Sequence, residues 1–214
     1  MAGERSNKRT KDKWKEKKWF RIMAPSQLGG KEIAMTVGTA PESIKGRIVE
    51  IPISDFSGNF KKSNAKLEFK VLDCVGTKCS TIFVGHSVND DYVRRMVRRR
   101  KERIDIVKTV KTTDGYEFVL KVVAVTENKL TSAKSVELRN AITNMVEEKV
   151  KNMDYFEFVR FVIEDESVSE ILTGIKDIYP LKKLEFRKSE LTGTGEKYNF
   201  SVPEEPAAEE VPAQ

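Results

Sequence analysis

Histidine is almost missing from this chain of 214 residues: His86 stands alone, and there are two cysteines, Cys74 and Cys79. That scarcity removes most catalytic and metal chemistry. Any histidine-based triad must use His86, and a lone histidine ahead of a helix start is more often a surface or loop residue than a base. A structural zinc site wants four ligands, so one imidazole and two thiols fall short. Two cysteines build no disulfide framework. Their C-x4-C spacing around Gly76 predicts reduced thiols near a turn, in a reducing compartment. No apolar run approaches the length of a membrane span, and no apolar stretch follows the basic N-terminus as a secretory signal requires. The glycine-rich run Gly193-Thr194-Gly195-Glu196-Lys197 lacks the spacing of a phosphate loop. No pair of carboxylates stands out as catalytic. These absences predict a soluble, cytoplasmic protein that is not an enzyme and uses no cofactor, metal, membrane or small-molecule substrate.

What the chain does have is positive charge. It carries 39 Lys and Arg against 33 Asp and Glu, for a formal net charge of +6. Four glutamates and no Lys or Arg fall in residues 203–214, leaving +10 on the rest. Charged residues make up 34%, yet the 39% that are hydrophobic suffice for a core. The basic residues are clustered. Seven of the ten residues from Arg94 to Arg103 are Lys or Arg, interrupted by one acid, Glu102. Such a cluster repels itself unless solvent screens it or a polyanion covers it, and a polyanion points to nucleic acid.

A second basic stretch forms residues 1–18, too polar to bury a core of its own and predicted to be a flexible arm. Within it, Trp14 could stack on a base. Trp19 and Phe20 are expected to begin the first strand and pack on the body. The candidate RNA-binding residues are Lys8, Arg9, Lys11, Lys13, Trp14, Lys15, Lys17 and Lys18 of the arm, with Arg94, Arg95, Arg98, Arg99, Arg100 and Lys101 of the cluster. Arginine's planar fork grips phosphate at two points and suits fixed docking, whereas lysine suits a looser tether. No zinc finger, base-reading repeat or aromatic RNA-recognition signature is present. Recognition of shape and phosphate is therefore expected.

Hydrophobic patterning predicts an α+β fold with one globular domain over 19–191. Its β-rich part spans 19–128. Residues 46–53 alternate as a strand that ends near Pro52. Two hairpins follow, one turning near Gly76 and one at Asp114-Gly115, a dipeptide suited to tight turns. Alternation slips after Val107, which predicts a bulge. Five or six such strands suggest an antiparallel, barrel-like sheet. Between the hairpins, Val88, Tyr92, Val93, Met96 and Val97 recur at helical spacing, with Ser87 or Asn89 as cap and Asp90 and Asp91 in the first turn. Arg94, Arg95 and Arg98 then point away from the core. Residues 131–180 read as helical, making the last third mostly helix. Val136, Ile142, Met145, Val146 and Val150 form one stripe, and Asp154…Glu157 and Ser167…Glu170 resemble capping boxes. A strand is predicted over 181–191, then a disordered acidic tail over 192–214.

The stretch from Ile44 to Phe56 carries more. Gly46, Arg47, Ile48, Glu50, Asp55 and Phe56 resemble the signature of an archaeal and eukaryotic small-subunit ribosomal protein family, "S-one-e", formerly "S-three-A-e". Further pieces agree in order: Lys18-Trp19-Phe20 with Ala24-Pro25, Gly38-Thr39, the run from Val110 to Tyr116, and Ile178 to Leu181 with Arg187-Lys188. The likeness runs from about residue 11 to 191, with Phe56 where leucine is usual and an acidic, proline-containing end of the kind that varies within the family, and it looks archaeal. The resemblance implies a β-barrel with surrounding helices, no enzymatic activity, and a place on the ribosomal platform near the messenger RNA exit. Its partners would be small-subunit ribosomal RNA (rRNA) and neighbouring small-subunit ribosomal proteins. From the residues alone, a free RNA-binding translation factor or RNA chaperone stays open.

Overall fold

The computed structural model describes residues 14–164, 166–176 and 178–193. In chain order its elements are strands β1 (Lys18–Met23), β2 (Glu32–Gly38) and β3 (Ile48–Pro52), helix α1 (Ile53–Ser57), strands β4 (Ala65–Val75) and β5 (Lys78–Val88), and helix α2 (Asp90–Met96). Strands β6 (Arg103–Lys111) and β7 (Glu117–Thr126) follow, then helices α3 (Ser132–Lys151), α4 (Tyr155–Ile163) and α5 (Glu166–Ile175), and strand β8 (Leu181–Gly193).

The α+β class holds, but the sheet is open and mixed. Its path runs β2-β1-β5-β8-β7-β6, with β3 and β4 stacked beyond the other side of β5. All pairs are antiparallel except β1–β5, which is parallel. No pairing among the described residues joins the edge strands β2, β3 and β6 to close a barrel. The long strand β5 explains the branching. One side pairs with β4 along most of its length; the other pairs with β1 at Lys78–Ser80 and with β8 at Gly85–Ser87.

The strand expected over 181–191 is present and runs on to Gly193. After α3, α4 and α5, the 13-residue strand β8 inserts into the middle of the sheet between β5 and β7. The approach is close: a Cβ at Gly85 would lie 2.1 Å from the Ser189 carbonyl oxygen, so only glycine lets β8 pass. The expected bulge in β6 is absent, since Arg103↔Val125 to Lys111↔Glu117 run in unbroken register. The apparent slip comes from Val107, which faces solvent where a polar residue would complete the alternation.

Helices α3, α4 and α5 cover one sheet face. Leu138, Ile142, Val146 and Val150, at four-residue spacing, pack with Phe118, Leu120, Phe158 and Phe186. Val136 lies outside that stripe and is exposed. Asp154 and Glu157 form the expected capping box; α5, by contrast, begins at Glu166, placing Ser167 inside its first turn. A second, smaller core joins Phe20, Ile22, Ile44, Val71 and Cys79. Helix α2 lies on the opposite sheet face, its Val93 against Val123 and Val125 of β7.

The cysteines depart from expectation. Cys74 and Cys79 are direct partners in the β4–β5 hairpin and form a disulfide. The spacing hides this, because pairing across a tight hairpin turns a separation of 5 residues into a Cα–Cα distance of 3.9 Å.

Candidate nucleic-acid interface

Helix α2 is short because its apolar stripe is short: Val93 is buried, Met96 half-buried, and the chain becomes extended at Val97. Val88 belongs to β5, so the helix starts at Asp90, with Asn89 as the residue before it. Several ties hold it in place. Arg187 donates to Asp90 at 3.0 Å, Tyr92 donates to Glu185 at 3.1 Å, and Lys183 lies 4.6 Å from the centre of the Tyr92 ring. The acids at its start and arginines at its end suit the helix dipole.

The basic run splits into two groups. Arg94, Arg95, Arg98, Arg99 and Arg100 are exposed. Among the described residues, Arg94 has one weak surface pair with Asp91 at 3.7 Å, and the other four have no ion pair. Arg98 to Arg100 lie in the turn after the helix, where Arg100 takes a left-handed φ of +67°. The rest of the run is paired within the fold. Lys101 donates to the Glu127 carboxylate at 2.8 Å and its carbonyl at 3.0 Å, and that contact draws the Glu127 carboxyl below its ordinary range. Arg103 pairs with Asp105. Glu102, the one acid in the cluster, accepts from the Leu130 N–H at 2.9 Å and so leaves the outer face. Arg94, Arg95, Arg98, Arg99 and Arg100 remain outside without a firm partner among the described residues.

Of the arm, Lys8, Arg9, Lys11 and Lys13 lie outside the described residues. Trp14, Lys15 and Lys18 are exposed, and the Lys17 ammonium sits 3.5 Å from the centre of the Trp14 ring. The arm and the arginine turn are thus separate features, and no described contact joins them. Trp19 begins β1 as expected but does not pack on the body. It is 65% exposed while Phe20 is 3% exposed, because side chains alternate across a strand. The alternation in Lys18-Trp-Phe-Arg-Ile-Met23 was the signal available for this.

Other singled-out residues serve the architecture. His86 is buried within β5, not in a loop. Its Nε2 donates to the Phe186 carbonyl at 2.8 Å, so its Nδ1 accepts from the Ser189 hydroxyl at 2.7 Å. Burial lowers its pKa to about 4. Arg47 is likewise committed, donating to Ser43, Thr36 and Val37, while Gly46 bonds Val71 with φ +80°. The turn after β6 docks on α4: Thr113 donates to Asp154 at 2.5 Å, and Asp114 accepts from the Tyr155 N–H at 3.0 Å. Among the described residues no cluster of three or more His, Cys, Asp or Glu is arranged to hold a metal. No described helix is long and apolar enough to cross a membrane.

Comparison with known proteins agrees with the signature read from Gly46 to Phe56. A family model described as the Ribosomal S3Ae family matches residues 5–194. A small ribosomal subunit protein eS1 from Thermoplasma acidophilum is 52% identical over 191 residues, 89% of each chain. Proteins of the same name are 50% identical in Picrophilus torridus, over 86% of this chain and 88% of that one, and 36% identical in Methanobrevibacter smithii, over 89% and 99%. With its whole described body inside the matched span, the chain belongs to the Ribosomal S3Ae family.

Proposed function

We propose that this protein is a structural, non-enzymatic constituent of the small ribosomal subunit, held on rRNA by phosphate contacts. The observation that carries this is the identity, near half of all positions, to archaeal proteins named small ribosomal subunit protein eS1. The arginine turn supplies the physical means. Arg95, Arg98, Arg99 and Arg100 are exposed and have no counter-ion among the described residues, the state expected of groups that neutralise phosphate. Arg94 adds to the array; Lys101 holds the turn to Glu127. The arm, from Lys8 to Lys18 with Trp14, provides a second contact. The folded part over 19–191 fixes the arginines in space, and the acidic stretch 192–214 lies outside that role. The placement is the platform near the messenger RNA exit, beside other small-subunit proteins.

Sedimentation of small subunits through a high-salt gradient tests this. A stoichiometric constituent stays with the particle in one copy. A factor that washes off below that salt would overturn the structural role. Crosslinking in purified subunits, reading protein residue and nucleotide together, then checks whether the contacts fall at Arg94 to Arg100.

A further inference from the structure

The outer face of β1 carries an aromatic surface that neither core uses. Phe20 and Ile22 point inward, so Trp19 and Arg21 share the outer face. In the neighbouring strand Val37 pairs with Trp19, and Met35 pairs with Arg21. Trp19, Arg21, Met35 and Thr77 line a shallow hollow of about 450 Å³. Met35 is 56% exposed, so aromatic and thioether surface stand together in water. An exposed patch of this kind marks a contact surface. Its surroundings say which kind: Arg21 lines it and Lys78 pairs with Arg21 in the neighbouring strand β5, against Glu32, which pairs with Met23. A flat aromatic face beside two cations matches a nucleobase with an adjoining phosphate, whereas an apolar protein partner would have to desolvate those charges.

We propose that Trp19 is a stacking platform for an unpaired RNA base, with Met35 against the base edge and Arg21 on the adjoining phosphate. This rests on the RNA-bound reading above, but uses a different face from the arginine turn. Every base has a π-face, so the platform accepts any unpaired nucleotide and rejects duplex, whose bases are already stacked.

The full chain carrying Trp14→Phe leaves Trp19 as the one indole. Its emission is followed while a labelled single-stranded oligoadenylate, or a duplex of equal length, is bound, with anisotropy reporting binding itself. The single strand is expected to quench more than half of the emission, and the duplex to bind without quenching. Trp19→Ala should weaken single-strand binding about tenfold and leave duplex binding unchanged, while Trp19→Phe restores most of the loss. Single-strand binding with unaltered emission overturns the platform and leaves the RNA-bound reading standing. Failure to bind any RNA at moderate salt overturns both. In assembled subunits, a photo-crosslinker at position 19 that captures only a neighbouring protein assigns the face to protein and also overturns the platform.

Discussion

The two ends of the β6–β7 hairpin are built from similarly polar sequence and behave in opposite ways. At the turn, Thr112 to Tyr116, the polar groups look inward: Thr113 bonds Met153 and Asp154, Asp114 holds the first N–H of α4, and Tyr116 packs on Tyr155 with ring centres 4.6 Å apart. At the entrance, Arg98 to Arg100, guanidinium groups face water without an internal ion pair among the described residues. Nine residues of β6 separate the two ends. A polar group already paired inside the fold contributes to stability, since losing its partner strands the other half. A charge the fold leaves unpaired is available to a partner. The contrast therefore separates residues that build the scaffold from residues that use it.

The sharpest way to break this contrast is at the open end. Replacing Arg95, Arg98, Arg99 and Arg100 together by Ala should lower RNA affinity by about 10²–10³-fold at 0.1 M salt and reduce the slope of log affinity against log salt by about 3, at roughly 0.7–0.9 per lost contact. Thermal unfolding should stay where it was. An unchanged salt slope would mean that these arginines touch no phosphate.

The interior offers the next test. His86 is neutral in the fold because burial lowers its pKa to about 4, whereas in the unfolded chain it titrates near 6.5. Between those values the unfolded state holds the extra proton, so stability rises with pH in that window. The contribution is fully present above about pH 6.5, is lost as pH falls towards 4, and levels off below, for a total of about 3 kcal/mol. Urea unfolding at pH 7 and pH 4.5 measures it, with His86→Gln as reference for the carboxylates that also titrate. An equal acid loss in the variant would remove His86 as the cause.

At the closed end, Asp114→Ala removes the carboxylate that accepts from the buried Tyr155 N–H. It should cost about 2 kcal/mol of stability in chemical denaturation, with the RNA salt slope unchanged. A change in slope would show that the turn touches RNA as well.

Much of this division was open to sequence reading, for reasons particular residues make plain. The Asp114-Gly115 turn, the Asp154 cap and the helix starting just after Asn89 depend on local chemistry, and local chemistry is written in neighbouring residues. The clustering of arginines was equally visible. What stayed hidden depends on partners distant in the chain. That His86 is buried follows from β8 arriving about 100 residues later; so does the need for Gly85 to lack a side chain. That Lys101 is tied down follows from Glu127, across the hairpin. The open sheet has the same origin, since a pattern of alternation fixes which face is buried but not which edges meet. Trp19 is the instructive exception: alternation alone places it outward, and the attraction of burying so large a side chain hid this.

The smallest expected effect discriminates most finely, because one substitution moves stability and binding in opposite directions. Arg100 holds a left-handed φ of +67°, a conformation that costs a residue with a Cβ about 1 kcal/mol. Arg100→Gly relieves that strain but gives the unfolded chain more freedom, so stability should stay level or rise by up to about 0.5 kcal/mol. Among the described residues its side chain has no ion pair to lose. The RNA salt slope should nevertheless fall by roughly 0.7–0.9, the share of one phosphate contact. A strained arginine at the tip of a cationic turn makes sense if the side chain serves a partner, since the fold alone would favour glycine there. If Arg100→Gly instead destabilises the protein by more than about 1 kcal/mol, the guanidinium is holding the turn together. The open end of the hairpin would then be as closed as the other.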